Sequence, residues 1–228
     1  MSATFLRSSA AVFSREIRRE LRRRSSITAV LFFAGASLIL ISFSLASVAL
    51  PEADRGKLHS GVLWVLLFFS AASGLPRSFV REEESGTGLA LRKAVSAEPV
   101  LAGKFLFNYL LFLAIAALAT PLYCLLQDWT PRHPGAFALV LLLSGFGLAF
   151  VSTFLSAIVS RAGQRDLLFV LTALPLVLPL LLPSVAACAA AASADSLAEL
   201  DPYWRVLVSY DGLATTAGFL LIRFVWEG

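Results

Sequence analysis

The sequence predicts an all-α integral membrane protein with six transmembrane helices, and three observations carry that prediction. Apolar residues make up 58% of the 228 positions, charged residues only 15%, and the mean hydropathy is +0.80, whereas soluble domains are usually about 45–50% apolar. The apolar residues lie in long runs without the alternation of a barrel strand. Lipid admits only helices or closed barrels, because every backbone N–H and C=O must be paired inside the protein, and the runs choose helices. Lysine and arginine, finally, divide unevenly between alternate connecting segments.

The chain reads as one membrane domain, 1–228. Residues 5–24 form an amphipathic surface helix. At 100° per residue, Leu6, Ala10, Phe13, Ile17 and Leu21 share one face, while Arg15, Arg18, Arg19, Arg22 and Arg23 occupy the opposite half. Such a helix lies in the headgroup layer, each arginine gaining roughly 1 kcal/mol from anionic lipid. Residues 27–50 carry no charge and would make about 36 Å of helix against a hydrocarbon core of about 30 Å. Further spans are expected at 59–76, 105–126, 136–159, 167–192 and 206–226. Charged or turn-forming stretches separate them, among them Asp128, Pro131, His133, Pro134 and Gly135 before the fourth.

The charge distribution orients these spans. Seven arginines precede the first span, five basic residues lie between the second and third (Arg77, Arg81, Arg92, Lys93, Lys104), two between the fourth and fifth, and one in the tail. The other connections hold only Arg55, Lys57, Arg132 and Arg205. Cytoplasmic loops carry the basic excess, so both ends are expected on the cytoplasmic side. Ser47-Val48-Ala49 resembles a signal-peptidase site, but the apolar run before it exceeds the usual 7–15 residues, so the first span is expected to stay. Trp64, Trp129, Tyr203 and Trp204 fall near the expected outer boundaries and Trp226 near the inner one, as an interfacial belt would place them.

Several segments stand out as candidates for function. The amphipathic helix serves as an anchor or as a lever beside a moving partner. Residues 77–104 form a cytoplasmic loop in which Glu82-Glu83-Glu84 precedes Ser85-Gly86-Thr87-Gly88 and a short apolar stretch through Leu89 and Leu91. This reads either as a solvated loop or as a turn and short helix whose acids offer acceptors to an arginine-bearing partner. Pro175, Pro179 and Pro183 recur every four residues and line one face of the fifth span. Each removes a backbone donor, so this face is expected to meet protein or a cavity, a static kink being the alternative. Asp211 is the one acid inside an apolar run, about two turns from the outer side. It reads equally as a functional intramembrane acid and as an interfacial one. His59 and His133 fall in expected outer loops, solvated or able to meet a haem or metal, and Cys124 and Cys188 are small buried thiols or a disulfide.

Missing motifs narrow the classes further. There is no GxxxxGK[ST], because Gly103-Lys104 lacks both the preceding glycine and the following hydroxyl residue, and no HExxH or GxSxG. The chain is expected to be no enzyme, to bind no metal or cofactor of its own, and to bind no nucleic acid, its net charge of +4 being an expression of topology.

The chain also resembles a known family. Its basic amphipathic helix, six spans, cytoplasmic insert between spans 2 and 3 and small outer segment between spans 5 and 6 are similar to ABC-2-type (type V-like) exporter permeases. The stretch from Phe13 to Ser25, Leu63-Trp64-Val65, the acidic stretch with Gly86-Thr87, and Gly103-Lys104 entering span 3 resemble the CcmB family, haem exporter protein B of cytochrome c maturation. So do Ser156 to Arg161, Pro179 to Pro183 and the tail Arg223 to Gly228. Departures fall at Gly88, Leu89, Arg92 and Lys93, where the family has an aliphatic, an acidic and two apolar residues.

The resemblance implies a permease subunit in the bacterial inner membrane working with a separate CcmA-like ATPase, CcmC-like and CcmD-like membrane proteins and a periplasmic CcmE-like haem chaperone, with ATP on the partner subunit and haem handled by the complex. A homodimer would suit an ABC permease with six spans. In that frame Glu82, Glu83, Glu84, Gly86, Thr87, Leu89 and Leu91 are expected to dock on the ATPase, and the proline face is a candidate moving element. A permease for lipid, polysaccharide or drug, and a membrane scaffold without transport, share the same physical features.

Overall fold

A computed structural model describes residues 3–22, 25–45, 51–74, 79, 82, 86, 91, 94–160 and 165–227. They form α1 (Ala3–Arg22), α2 (Ser25–Leu45), α3 (Glu52–Gly74), α4 (Ala97–Leu126), α5 (Pro134–Val159), α6 (Arg165–Ser193), a 3-10 turn (Leu197–Leu200) and α7 (Asp201–Glu227). Among the described residues there is no β-strand. Among the described residues five helices are long and apolar enough to cross a membrane, within Asp54–Ser73, Ala97–Leu126, Pro134–Val159, Pro175–Ser193 and Leu197–Trp226. The remaining apolar helix, α2, contributes the shorter stretch Phe32–Leu45. The chain is a multi-pass membrane protein.

Three helices start earlier than hydropathy places them. Residues 52–58, charged and expected as loop, are the first two turns of α3. Helix α4 begins at Ala97 instead of 105. Ser96 is extended at its N-cap, Glu98 complements the helix dipole, and Pro99 sits in the first turn, where no backbone N–H is needed. Lys104 therefore lies on a helix and not in a loop. Helix α7 begins at Asp201, directly after the 3-10 turn, which Ser196 caps by accepting from the Ala198 N–H.

Helix α5 is central, packed against α4, α6 and α7; α6 also covers α3, α2 leans on α3, and α1 lies along α4. Polar pairs bind the helices where hydrocarbon offers no other partner. The Asn108 amide on α4 donates to the Thr153 hydroxyl on α5 (2.7 Å), which donates to the Ala149 carbonyl (2.6 Å). One apolar cluster, around Phe79, Val100, Phe105, Phe150 and Ile222, fills the end of the bundle nearest α1. A larger one, around Trp64, Phe112, Tyr123, Phe137 and Leu200, fills the rest. At the opposite end the Arg132 and His133 N–H groups donate to the Ala192 and Ala191 carbonyls, tying the α4–α5 turn to the end of α6.

Candidate functional site

Helix α1 has three faces. The arginine and apolar faces are as expected, with Arg18 and Arg22 exposed and Leu6 and Leu21 turned outward. Between them lies a buried face of Ser9, Val12, Glu16 and Glu20, about 100° round the helix from each. This third face sits on α4. Gly103 makes the seat: a Cβ there would come within 2.7 Å of the Ser9 carbonyl oxygen and of the Val12 Cβ. Only a residue without a side chain lets the two backbones approach this closely.

The next residue fixes the seat. Lys104 has no exposed surface, and its ammonium donates to Glu16 Oε1 on α1 (2.9 Å) and pairs with Glu82 Oε2 (3.2 Å). Its Nζ also lies 4.7 Å from the centre of the Phe79 ring. Glu82 is ion-paired in addition with Arg15 of α1. A buried charge is stable only when paired and hydrogen-bonded, so one lysine gathers α1, α4, Phe79 and Glu82 into a single node. Displacing Glu82 alone would strip a counter-charge from a cation that water cannot reach. The Gly103-Lys104 pair is thus the physical core of a junction. Its partners, 88 and 22 positions away in sequence for Glu16 and Glu82, are far outside any local pattern.

The expected docking residues divide. Glu82 is 2% exposed and Leu91 is 7% exposed; both face inward, Glu82 onto Lys104 and Leu91 into the apolar cluster with Val100 and Phe150. Gly86 is exposed, in a turn at φ +67°, a left-handed conformation that favours glycine. Glu83, Glu84, Thr87 and Leu89 lie outside the described residues, as does Arg23 of the surface helix; Arg15 and Arg19 are half-buried.

Other expectations are corrected. The proline face is turned out of the chain's own core, Pro175 and Pro179 exposed and Pro183 half-exposed, while Val177, Leu180, Ser184 and Cys188 form the inward side of α6. The helix runs on through all three prolines, and the Tyr210 hydroxyl of α7 donates to the Leu176 carbonyl among them. His59 is no loop residue. It is buried on α3, with Nδ1 3.0 Å from the Tyr123 hydroxyl and its ring stacked on Trp129 at 5.0 Å. His133 makes a hydrogen bond of 3.1 Å to the Ala194 carbonyl. Trp64 is core and not an interfacial anchor: its indole N–H donates to the Cys188 sulfur (3.2 Å) and its ring stacks on Phe112. Trp129 is likewise buried. Cys124 and Cys188 are both free thiols.

Asp211 lies ten residues into the 27-residue helix α7, about 15 Å along about 40 Å of helix. It is 7% exposed, and its Oδ1 approaches Gly147 of α5, where any Cβ would collide with it.

Comparison with individual curated proteins gives no match. The sequence model of one family, described as CcmB protein, matches residues 7–217, nearly the whole chain, including most of α1, the Gly103-Lys104 seat and Asp211. The protein is a member of the CcmB family.

Proposed function

We propose that this chain is the transmembrane permease subunit of an ABC transporter complex for c-type cytochrome biogenesis, coupling ATP hydrolysis by a separate CcmA-like ATPase to haem delivery or release on a periplasmic CcmE-like chaperone. Membership of the CcmB family supports this reading. In it α2, 21 residues or about 31 Å long, is the sixth span of an ABC-2-type fold in the bacterial inner membrane. Both ends are cytoplasmic, following the basic excess, and CcmC-like and CcmD-like proteins are neighbours in the bilayer. The chain hydrolyses no ATP itself and carries no cofactor of its own.

The observation that carries the mechanism is the Lys104 node. ATPase-driven closure presses on the turn at Gly86, and the load passes through Glu82 to Lys104 on α4 and to Arg15 and Glu16 on α1. Because α1 keeps Leu6 and Leu21 turned outward, it floats in the headgroup layer as a lever while α4 carries the motion across the membrane. Two copies meet through the exposed proline face of α6. The sequence-based role of Glu82 therefore changes from docking acid to transmission element.

The test is Glu82→Gln in the chain coexpressed with its ATPase and haem-handling partners. Insertion and copurification of the ATPase should persist while c-type cytochrome yield falls by about tenfold, within the usual range of coupling between sites. Arg15→Gln, which leaves Lys104 paired with both acids, should give a smaller loss and guards against a simple folding defect. Full cytochrome production in both variants would sink the coupling role.

A further inference from the structure

The Lys104 node closes every charge it contains, whereas Asp211 is left open. Its Oδ1 is buried without a hydrogen-bond partner, and so is the hydroxyl of Thr215 one turn further along α7. Both line a cavity of about 450 Å³ between α4, α5 and α7, walled by Tyr109, Leu142, Phe146 and Val208. Val208, Gly212 and Thr216 at its rim are exposed on the outside of the chain, so the cavity opens sideways to the bilayer. It shares Phe146 and Thr215 with a second cavity of about 710 Å³ that leads past Phe105 and Phe150 to Glu98 and Arg223. One apolar groove thus runs from the α1 end to the buried acid of α7.

We infer that this groove is a binding site for a lipophilic amine, with its ammonium at Asp211 and its apolar body along Phe146. Three arguments select that chemistry. A carboxylate in apolar surroundings stays charged only beside a counter-charge, and among the described residues none of the ion pairs includes Asp211. An ammonium has three N–H groups, and the residues that line the cavity include three acceptor groups suited to them. These are the Asp211 carboxylate, the unpaired Thr215 hydroxyl, and the Tyr109 hydroxyl, which donates its own proton to the Leu142 carbonyl (3.1 Å) and keeps its lone pairs. The rings of Tyr109 and Phe146, edge to face at 5.7 Å, add the aromatic surface that attracts a cation. Gly147 belongs to the site because its bare backbone makes room for the carboxylate.

The experiment uses the full chain in phosphatidylcholine nanodiscs, with empty nanodiscs subtracted, and compares 3-phenylpropylamine with the isosteric 3-phenylpropan-1-ol by titration calorimetry. The amine should bind about tenfold more tightly than the alcohol, and Asp211→Asn should bring the two together. Matching thermal unfolding of the variant shows that the fold is kept, and Thr215→Val, which removes one acceptor, should narrow the gap without closing it. Equal binding of amine and alcohol to the unaltered chain would overturn the inference, as would an amine preference that survives Asp211→Asn. Nanodiscs containing phosphatidylethanolamine decide the source: competition with the probe assigns the site to a lipid ammonium head group, and undiminished probe binding assigns it to a free amine.

Discussion

At the α1 end a buried ammonium, Lys104, is bracketed by Glu16 and Glu82 beneath a helix seated on Gly103, whereas at the opposite end His59, Tyr123 and Trp129 stack beside a Trp64–Cys188 hydrogen bond with no buried ion pair among them. The two ends respond differently to displacement. Ring stacks and neutral hydrogen bonds weaken gradually, and a slid ring still touches apolar neighbours. A buried ion pair fails steeply, because each separated charge is left in surroundings that do not solvate it. The end built from charges therefore moves as one piece or not at all, which is what a transmission element requires. The neutral end can settle and repack locally.

The largest expected effect breaks the charged end. Lys104→Met leaves Glu16 buried without its cation and Glu82 with Arg15 alone, and should cost about 3–5 kcal/mol, read as a fall in the thermal unfolding temperature of the purified chain in nanodiscs. Adding Glu16→Gln and Glu82→Gln to Lys104→Met should recover most of that loss, since a buried pair replaced on both sides is often close to neutral. If the triple variant is no more stable than the single, the node is not held by charge.

Next comes the seat itself. Gly103→Val drives two methyl groups into Ser9 and Val12 and should cost about 1–3 kcal/mol through overpacking. Its signature should be local, with α1 lifted from α4 and trypsin cutting faster at Arg18 and Arg22 while the far end keeps its tryptophan emission. A uniform loss of protection would show that α1 is not a separable element.

Much of the fold was legible in the sequence, and the misses share a cause. Hydropathy placed α5 and α6 within two residues at either end because their apolar runs are bounded by prolines, arginines and polar residues that water or headgroups must meet. It placed the start of α4 too late, because Glu98 and Lys104 look like loop residues when their partners, Arg223 and the two acids, are hidden by sequence distance. Trp64 was assigned to the membrane interface from its position near a span end; the sulfur that satisfies its N–H sits on α6, 124 positions away. Glu16 and Glu20 were visible as an i, i+4 pair on α1, yet nothing local says that this face and not the apolar one would pack on α4. Helix period and charge counts report the surroundings a segment needs, not which neighbour provides them.

A smaller effect probes the neutral end. Tyr123→Phe removes the hydroxyl that meets His59 Nδ1 and leaves a buried ring nitrogen without that partner, at a cost of about 1–2 kcal/mol. The Trp129 stack should persist, so tryptophan emission should change little while the unfolding temperature drops. A loss as large as that of Lys104→Met would mean that the two ends are equally rigid and would remove the contrast.

The smallest effect is expected at an ion pair that only looks like Lys104's. Arg132 pairs with Asp195 across the turn at the neutral end, but the two side chains are 56% and 88% exposed, so water solvates each of them with or without the other. That turn is held instead by backbone bonds, the Arg132 and His133 N–H groups donating to Ala192 and Ala191, and by Pro134 opening α5. Arg132→Ala keeps both backbone bonds and should change stability by no more than about 0.5 kcal/mol, with the unfolding curve almost superimposed on that of the unaltered chain. A loss comparable with Tyr123→Phe would show that the exposed pair also anchors the turn. Burial, rather than the presence of opposite charges, would then no longer be what separates the two ends.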